Sequence, residues 1–424
     1  MRRWGGLSIG PVLGLLGLAT VAQAVDAGLT PAGAWSETVL LHFTNGNDGG
    51  YPYAGLTLGP AGALYGTTPN GGDHGAGTVF ELAPAAAGSA RSARVLYSFS
   101  GTADGAHPLA GVTLGAAGKL YGTTLSGGAA SQGTVFELTA PAASGGAWSE
   151  RVLYSFGGAA DGGSPVAGVV FDGSGVLYGT TLSGGARGRG TVFKLTPAAA
   201  GGWSASVLHS FAGGDDGELP FAGVVPGPSG RLYGTTSYGG AHGFGTVFGL
   251  TPGAAGAAWP ATVLYSFTGK DDGGLPGAGV VLDAAGALYG TTRWGGSRSS
   301  GTAFKLTPPA APGQAWTETV LHAFEGGFTS GGDGGAPIGG VILDGAGALY
   351  GTTDRGGAHG NGTVFKLTPP AGGGGAWTVS VLHSFSGSDG SGPAASVTLS
   401  GGKLFGTTFR GGARGGGTVF ELVP

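Results

Sequence analysis

The sequence predicts an all-β protein, a seven-bladed β-propeller with four antiparallel strands per blade. Three observations predict it. The pattern LYGTT-x2-GG-x4-GTVF recurs seven times. Its aromatic falls at Tyr65, Tyr121, Tyr178, Tyr233, Tyr289, Tyr350 and Phe405, a repeat every 55 to 61 residues. Each repeat carries four short runs rich in β-branched and aromatic residues, bounded by Gly, Pro, Asp and Ser, which is the composition of strands between turns. No helical periodicity follows residue 24. Four strands per unit in seven similar units is the sequence form of a propeller, whereas a β-helix coil needs about 20 residues or fewer and a sandwich would not repeat.

Each element follows from where it must sit. Small residues belong where the sheets crowd the axis, so A-G-V-x-L, as at Ala278–Leu282, is expected as the inner strand. LYGTT and GTVFxL follow as the second and third strands. The bulky run V-L-[Y/H/L]-[S/A/H]-F, as at Val152–Phe156, suits the wide outer rim. A tryptophan often lies four residues upstream of it (Trp35, Trp148, Trp203, Trp259, Trp316, Trp377). This order leaves residues 35–43 as an orphan outer strand and the last blade, residues 397–422, one strand short. The first is expected to complete the second and close the ring, which removes the exposed edges that invite aggregation.

Composition bounds the rest. The chain has 424 residues, 99 of them glycine and 24 proline. With a clear period, these are turn positions rather than marks of low complexity. Lys plus Arg number 19 against 23 Asp plus Glu, for a net charge of −4, which gives no basic footprint for nucleic acid. There is no cysteine, so disulfides, thiolate nucleophiles and Cys–zinc sites are excluded. Residues 1–24 read as an export signal. Arg2 and Arg3 precede an apolar run from Pro11 to Val21, and Ala22-Gln23-Ala24 supplies a cleavage site. That run is short for a membrane span, and no later stretch is apolar enough for one. The expectation is a secreted or periplasmic protein, with residues 25–424 forming a single propeller domain.

The tandem unit W-x3-VLYSF…DGxxP…AGV…LYGTT-x2-GG-x4-GTVFxL resembles the GloVer tandem repeat of exported bacterial proteins, in the choice-of-anchor group. The resemblance covers essentially the whole chain after the leader. It implies an extracytoplasmic, propeller-type protein and brings no activity and no catalytic residues with it. Many such proteins end in a sorting anchor. This chain departs from that pattern by stopping at its last strand, so the resemblance does not carry surface anchoring over. The strand pattern is also similar to NHL-type propellers, which supports the fold rather than a function.

Alternating strands bring the x2-GG-x4 loops and the D-G-x-x-P loops (Asp48, Asp104, Asp161, Asp216, Asp272, Asp333, Asp389) to one face, here the upper face. Positions shared by all units read as scaffold. Gly-Gly suits left-handed turns, and Asp-Gly before proline is turn chemistry. The glycine loops lack the G-x4-G-K-[ST] order of a phosphate cradle. The variable positions carry the candidates. The second residue after Gly-Gly is His74, Ala130, Arg187, His242, Arg298, His359 or Arg414, a ring of six potential cations that could hold a uronate or sulfated sugar. They could equally be solvated loop tips. The two residues before Gly-Gly include Tyr238, Arg293, Trp294, Arg355, Phe409 and Arg410, and the D-G-x-x-P loops add Tyr51, Tyr53, His107, Glu218 and Phe221. Rings beside arginines at a concave mouth suit sugar stacking. The loop Glu325–Gly332, four residues longer than its counterparts and with Phe328 at its tip, is expected to overhang this face.

His209, His322 and His383 take the place of Tyr97, Tyr154 and Tyr265, so strand register makes them rim or core residues rather than ligands. No nucleophile elbow or paired-carboxylate site is evident. Asn45–Gly49 and Asp271–Gly273 lack a full calcium ligand run. No metal and no cofactor are expected. The expected function is a non-enzymatic binding or scaffold module for a glycan or other anionic cell-surface polymer, with a protein partner as a further option. The alternative is a polysaccharide lyase or hydrolase with one pocket on the same face.

Overall fold

The computed structural model describes residues 35–84, 91–143, 146–198, 201–254, 256–311, 313–327, 330–372 and 374–424. The leader expected at residues 1–24 and Phe328 lie outside them. All seven blades fall within one unit, Pro31–Pro424.

Blade 1 is Thr57–Leu58, Leu64–Thr68, Thr78–Leu82 and Ala93–Ser98, from inner to outer, all antiparallel. Blades 2 to 6 repeat it, with second strands at Leu120–Thr124, Leu177–Thr181, Leu232–Thr236, Leu288–Thr292 and Leu349–Thr353. Blade 7 takes Thr398–Ser400, Lys403–Thr408 and Thr418–Val423 from the C-terminus. Its outer strand is Ser36–His42, paired antiparallel from Ser36↔Val423 to His42↔Thr418. The ring is thus closed by the N-terminal strand. Closure brings the two ends of the chain into one sheet and leaves no unpaired blade.

The inner strand is shorter than the A-G-V-x-L run. Regular pairing covers only its last two residues, such as Val281–Leu282. The Ala-Gly part serves the neighbouring blade instead. The first threonine of each LYGTT donates to a carbonyl there: Thr67 to Ala110, Thr123 to Ala167, Thr180 to Ala222, Thr235 to Ala278, Thr291 to Gly339, Thr352 to Ala395 and Thr407 to Ala54, at 2.8–2.9 Å. The next glycine packs on the preceding blade. A Cβ on Gly111 would stand 3.0 Å from the Gly55 carbonyl oxygen, and one on Gly168 3.1 Å from that of Gly111. Small residues at the axis are therefore set by inter-blade approach.

Between blades the core is aromatic. The phenylalanine after each outer strand meets the phenylalanine of the next blade's third strand edge-on. Phe99–Phe136 are 5.1 Å apart, Phe156–Phe193 5.1 Å and Phe324–Phe365 4.9 Å, and Phe43–Phe80 at 5.2 Å completes the circle. These rings are fully buried. Each is worth about 1.5–3 kcal/mol in burial and each pair about 0.5–1.5 kcal/mol more. They explain the glycine of LYGTT. A Cβ on Gly66 would lie 2.4 Å from Phe80 Cζ. Tryptophans pack back onto the previous blade's tyrosine, as Trp203 does on Tyr121.

Some rim seams carry half-buried carboxyls. Glu150 and Glu318 lie opposite the leucine of GTVFxL and FKL (Leu138, Leu306) and face Asp104 and Asp272 of the preceding turns. Burial, and then those aspartates, push each glutamate up to about 7.

Candidate functional site

The upper face is built from two loops per blade that bond to each other. The D-G-x-x-P aspartate accepts the backbone N–H at the end of the outer strand: Asp104 from Ser100 at 2.7 Å, Asp161 from Gly157 at 2.7 Å, Asp272 from Thr268 at 2.8 Å. It also takes the outer-strand tyrosine or histidine. Tyr97 reaches Asp104 at 3.0 Å, Tyr154 reaches Asp161 at 2.9 Å and His209 reaches Asp216 at 3.1 Å, while His322 bonds Asp333. The two loops meet in short bridges, Gly50↔Asn70, Glu218↔Tyr238, Gly274↔Trp294 and Ser391↔Arg410. Gly-Gly is required there. Gly71 has φ +74°, and a Cβ on it would sit 2.5 Å from the Gly46 carbonyl oxygen. The residue before the proline is also left-handed, as at Tyr51 (φ 59°) and Leu275 (φ 55°), and its N–H bonds the preceding blade's loop, Tyr51 to the Gly416 carbonyl at 2.7 Å. Backbone of this kind is tolerated when its surroundings over-determine it.

This frame sets where each candidate points. The two residues before Gly-Gly lie towards the axis. Ser237, Tyr238 and Arg293 line a small axial cavity of about 70 Å³ with Tyr53, Phe221, Leu275 and Ile338. Asp354, Arg355, Phe409 and Arg410 line a larger one of about 410 Å³ with Tyr53 and Ser391. Tyr53 belongs to both, so the two adjoin at the mouth of the face. That volume lies within the range of small-molecule sites. Tyr53, Phe221, Tyr238 and Trp294 are 38%, 42%, 39% and 41% exposed, and they account for four of the six exposed large hydrophobics among the described residues. Phe409 is flanked by Tyr51 at 5.6 Å and Tyr53 at 5.8 Å, and the Arg410 guanidinium lies 5.2 Å from its ring centre.

Charge at the mouth is mixed. Arg355 Nε pairs with Asp354 at 3.1 Å. Although part of the ring is exposed, the packing around the Tyr53 hydroxyl desolvates it and pushes the phenol up, Asp354 adds to the rise and Arg293 opposes it. The longer loop of blade 6 does come to this face. Gly331–Gly335 pairs with Arg355–Gly357 as a two-stranded ribbon, and a cleft joins Gly326, Gly327 and Gly335 to Arg293, Trp294 and Arg355.

The six residues of the expected cationic ring stand elsewhere on the same face. His74, Arg187, His242, Arg298, His359 and Arg414 are all exposed at loop tips. The residue before each of four of them is tied to its outer strand: Asp73 N–H to Ser98 Oγ at 2.9 Å, Ala241 to Ser266, Ala358 to Ser384, and Ala413 to His42 Nδ1. The tips therefore lie over the rim, and none of the six lines either mouth cavity. His107 is held by the Pro69 carbonyl at 2.8 Å, and Glu218 pairs with Arg189 at 2.6 Å. Asp354 escaped the sequence reading, although it fills in blade 6 the position that Arg293 fills in blade 5. Tyr53 was legible as a loop aromatic, but its place beside Phe409 and Arg355 depends on ring closure.

A profile of the Gloeobacter/Verrucomicrobia repeat matches residues 28–225, 88–304 and 276–424. The chain belongs to this repeat family. Among curated proteins, none matches it. Among solved structures, a candidate 6-phosphogluconolactonase from Bacteroides uniformis is similar at TM-score 0.51 and 16% identity, with 83% of this chain and 88% of that one covered. The polysaccharide lyase Uly1 is similar at TM-score 0.50 and 11% identity, with 88% and 90% covered. At such identities the likeness is one of fold. Among the described residues no helix is long and apolar enough to cross a membrane.

Proposed function

We propose that this repeat protein is exported and binds an acidic glycan, of the uronate or sulfated class, at the upper mouth without cleaving it. The observation that carries the reading is the 410 Å³ cavity, where Arg355 and Arg410 stand beside the rings of Tyr53 and Phe409. A flat ring covers the C–H face of a sugar, and a guanidinium clamps its carboxylate through paired charge-assisted hydrogen bonds. Arg293 extends the cationic wall, and Trp294 and Tyr238 extend the stacking surface.

Tyr53 does not offer the base that a phenol-driven lyase step needs. A phenol acting as base at neutral pH needs a lowered pKa. Burial and Asp354 push this one up. The test is affinity for a uronate polymer at low salt, alongside an assay for new unsaturated or reducing ends. The expected outcome is saturable, salt-sensitive binding with no new ends. Absence of binding removes the glycan reading, and formation of new ends replaces it with the enzyme.

A further inference from the structure

The seven rim seams share one geometry, which makes their differences readable. At each seam the outer-strand residue two before the central valine lies opposite the leucine of the third strand. These residues are Ala93, Glu150, Ala205, Ala261, Glu318, Val379 and Glu37 in blades 1 to 7. Glu150 faces the Tyr97–Asp104 pair, and Glu318 faces the Tyr265–Asp272 pair. The histidine seams formed by His209 and His322 adjoin blades whose equivalent residues are Ala261 and Val379. Among the described residues, a glutamate and an imidazole coincide only where blade 6 meets blade 7. There Glu37, His383 and Asp389 each offer a ligand atom, all within 4.8 Å of one another.

We propose that Glu37, His383 and Asp389 bind a divalent first-row transition ion of the zinc class, tying the ring-closing N-terminal strand to blade 6. His383 Nε2 and Asp389 Oδ2 are 2.9 Å apart. That contact is the hydrogen bond the tyrosine seams also make; an ion would replace it, because two ligands about 2.0–2.1 Å from a tetrahedral ion stand about 3.3 Å apart, a small opening of the pair. Asp389 Oδ1 is committed to the Ser386 N–H at 2.8 Å, which orients Oδ2 towards the imidazole and supplies an outer shell. Glu37 Oε1 is closed to solvent and has no hydrogen-bond partner. The imidazole and the Asp389 carboxylate are each 18% exposed, which leaves an approach for the ion and for water at a remaining position. One nitrogen and two carboxylates suit zinc and its neighbours, whereas calcium takes oxygen alone. The three ligands lie at opposite ends of the sequence, so no motif spacing reveals them.

Zinc titration of the whole protein by calorimetry tests the site. The expected result is one strong site per chain, weakened about tenfold or more by Glu37→Gln and by His383→Tyr. The second variant installs the residue that blades 1, 2 and 4 carry at this position, so folding should persist. Glu150→Gln and His322→Tyr, which each alter a seam lacking the full set, should leave zinc affinity unchanged. A second readout is the melting temperature with zinc against chelator, which should rise for the unaltered protein and stay flat for His383→Tyr. Zinc affinity in His383→Tyr equal to that of the unaltered protein, or equal loss in the two control variants, overturns the proposal.

Discussion

Blades 1 to 3 and blades 4 to 7 share a backbone and differ in what they hold over the axis. Before Gly-Gly, the first three carry Pro69-Asn70, Leu125-Ser126 and Leu182-Ser183. The last four carry Ser237-Tyr238, Arg293-Trp294, Asp354-Arg355 and Phe409-Arg410. The threonine bonds, the phenylalanine pairs and the Gly-Gly turns are the same in both sectors. A repeat scaffold held together by its invariant positions thus leaves a few side chains per blade free to differ, and here the difference gathers on one side of the mouth. Tyr53 of blade 1 joins that side because its loop adjoins blade 7.

The comparison breaks most visibly if the scaffold is not shared. Deleting residues 35–43 takes the outer strand from blade 7, and cooperative unfolding is expected to be lost; an unchanged calorimetric melt would contradict closure by this strand. Phe136→Ala in blade 2 and Phe365→Ala in blade 6 should each cost about 3–5 kcal/mol by denaturant unfolding. A large difference between them would mean that the sectors are not mechanically alike.

Smaller effects sharpen the difference between sectors. Arg410→Ala should weaken uronate binding by about 1.5–3 kcal/mol, the worth of a hydrogen bond to a charged group, with Asn70→Ala and Ser183→Ala near neutral. Equal losses in both sectors would point to a symmetric ring. Asp354→Asn should strengthen binding modestly in the same titration, because it removes a like charge from the anion's side.

One further effect should be common to both sectors. Glu150 and Glu318 have folded values raised to about 7 from 4.5, so they bind protons more tightly in the folded state. Their contribution is fully present below about pH 4.5 and is lost as pH rises through 7. Melting temperature should therefore fall between pH 5 and 8, and the double variant Glu150→Gln, Glu318→Gln should flatten that slope.

The period, the four strand types and the unpaired strand at residues 35–43 were legible because a propeller blade writes its burial pattern locally, in runs of β-branched and aromatic residues between glycines. The variable residues Tyr238, Arg293, Trp294, Arg355, Phe409 and Arg410 were legible for a related reason, since they break a repeat that otherwise holds. Radius was not legible. Both sides of Gly-Gly vary, but the structure turns one side to the axis and bonds the other to the outer strand, where the cationic tips stand. The A-G-V run has the pattern of a strand, yet its Ala-Gly part is used by the neighbouring blade's threonine.

What the sequence determined by itself is the unit: strand, turn and small-residue positions set by local sterics and by hydrophobic pattern. What only the tertiary structure decided is which units meet. Ring closure sets residues 36–42 against 418–423, Tyr53 beside Phe409, and Glu37 beside His383. Contacts between residues hundreds of positions apart leave no local trace, because only the closed ring brings them within reach.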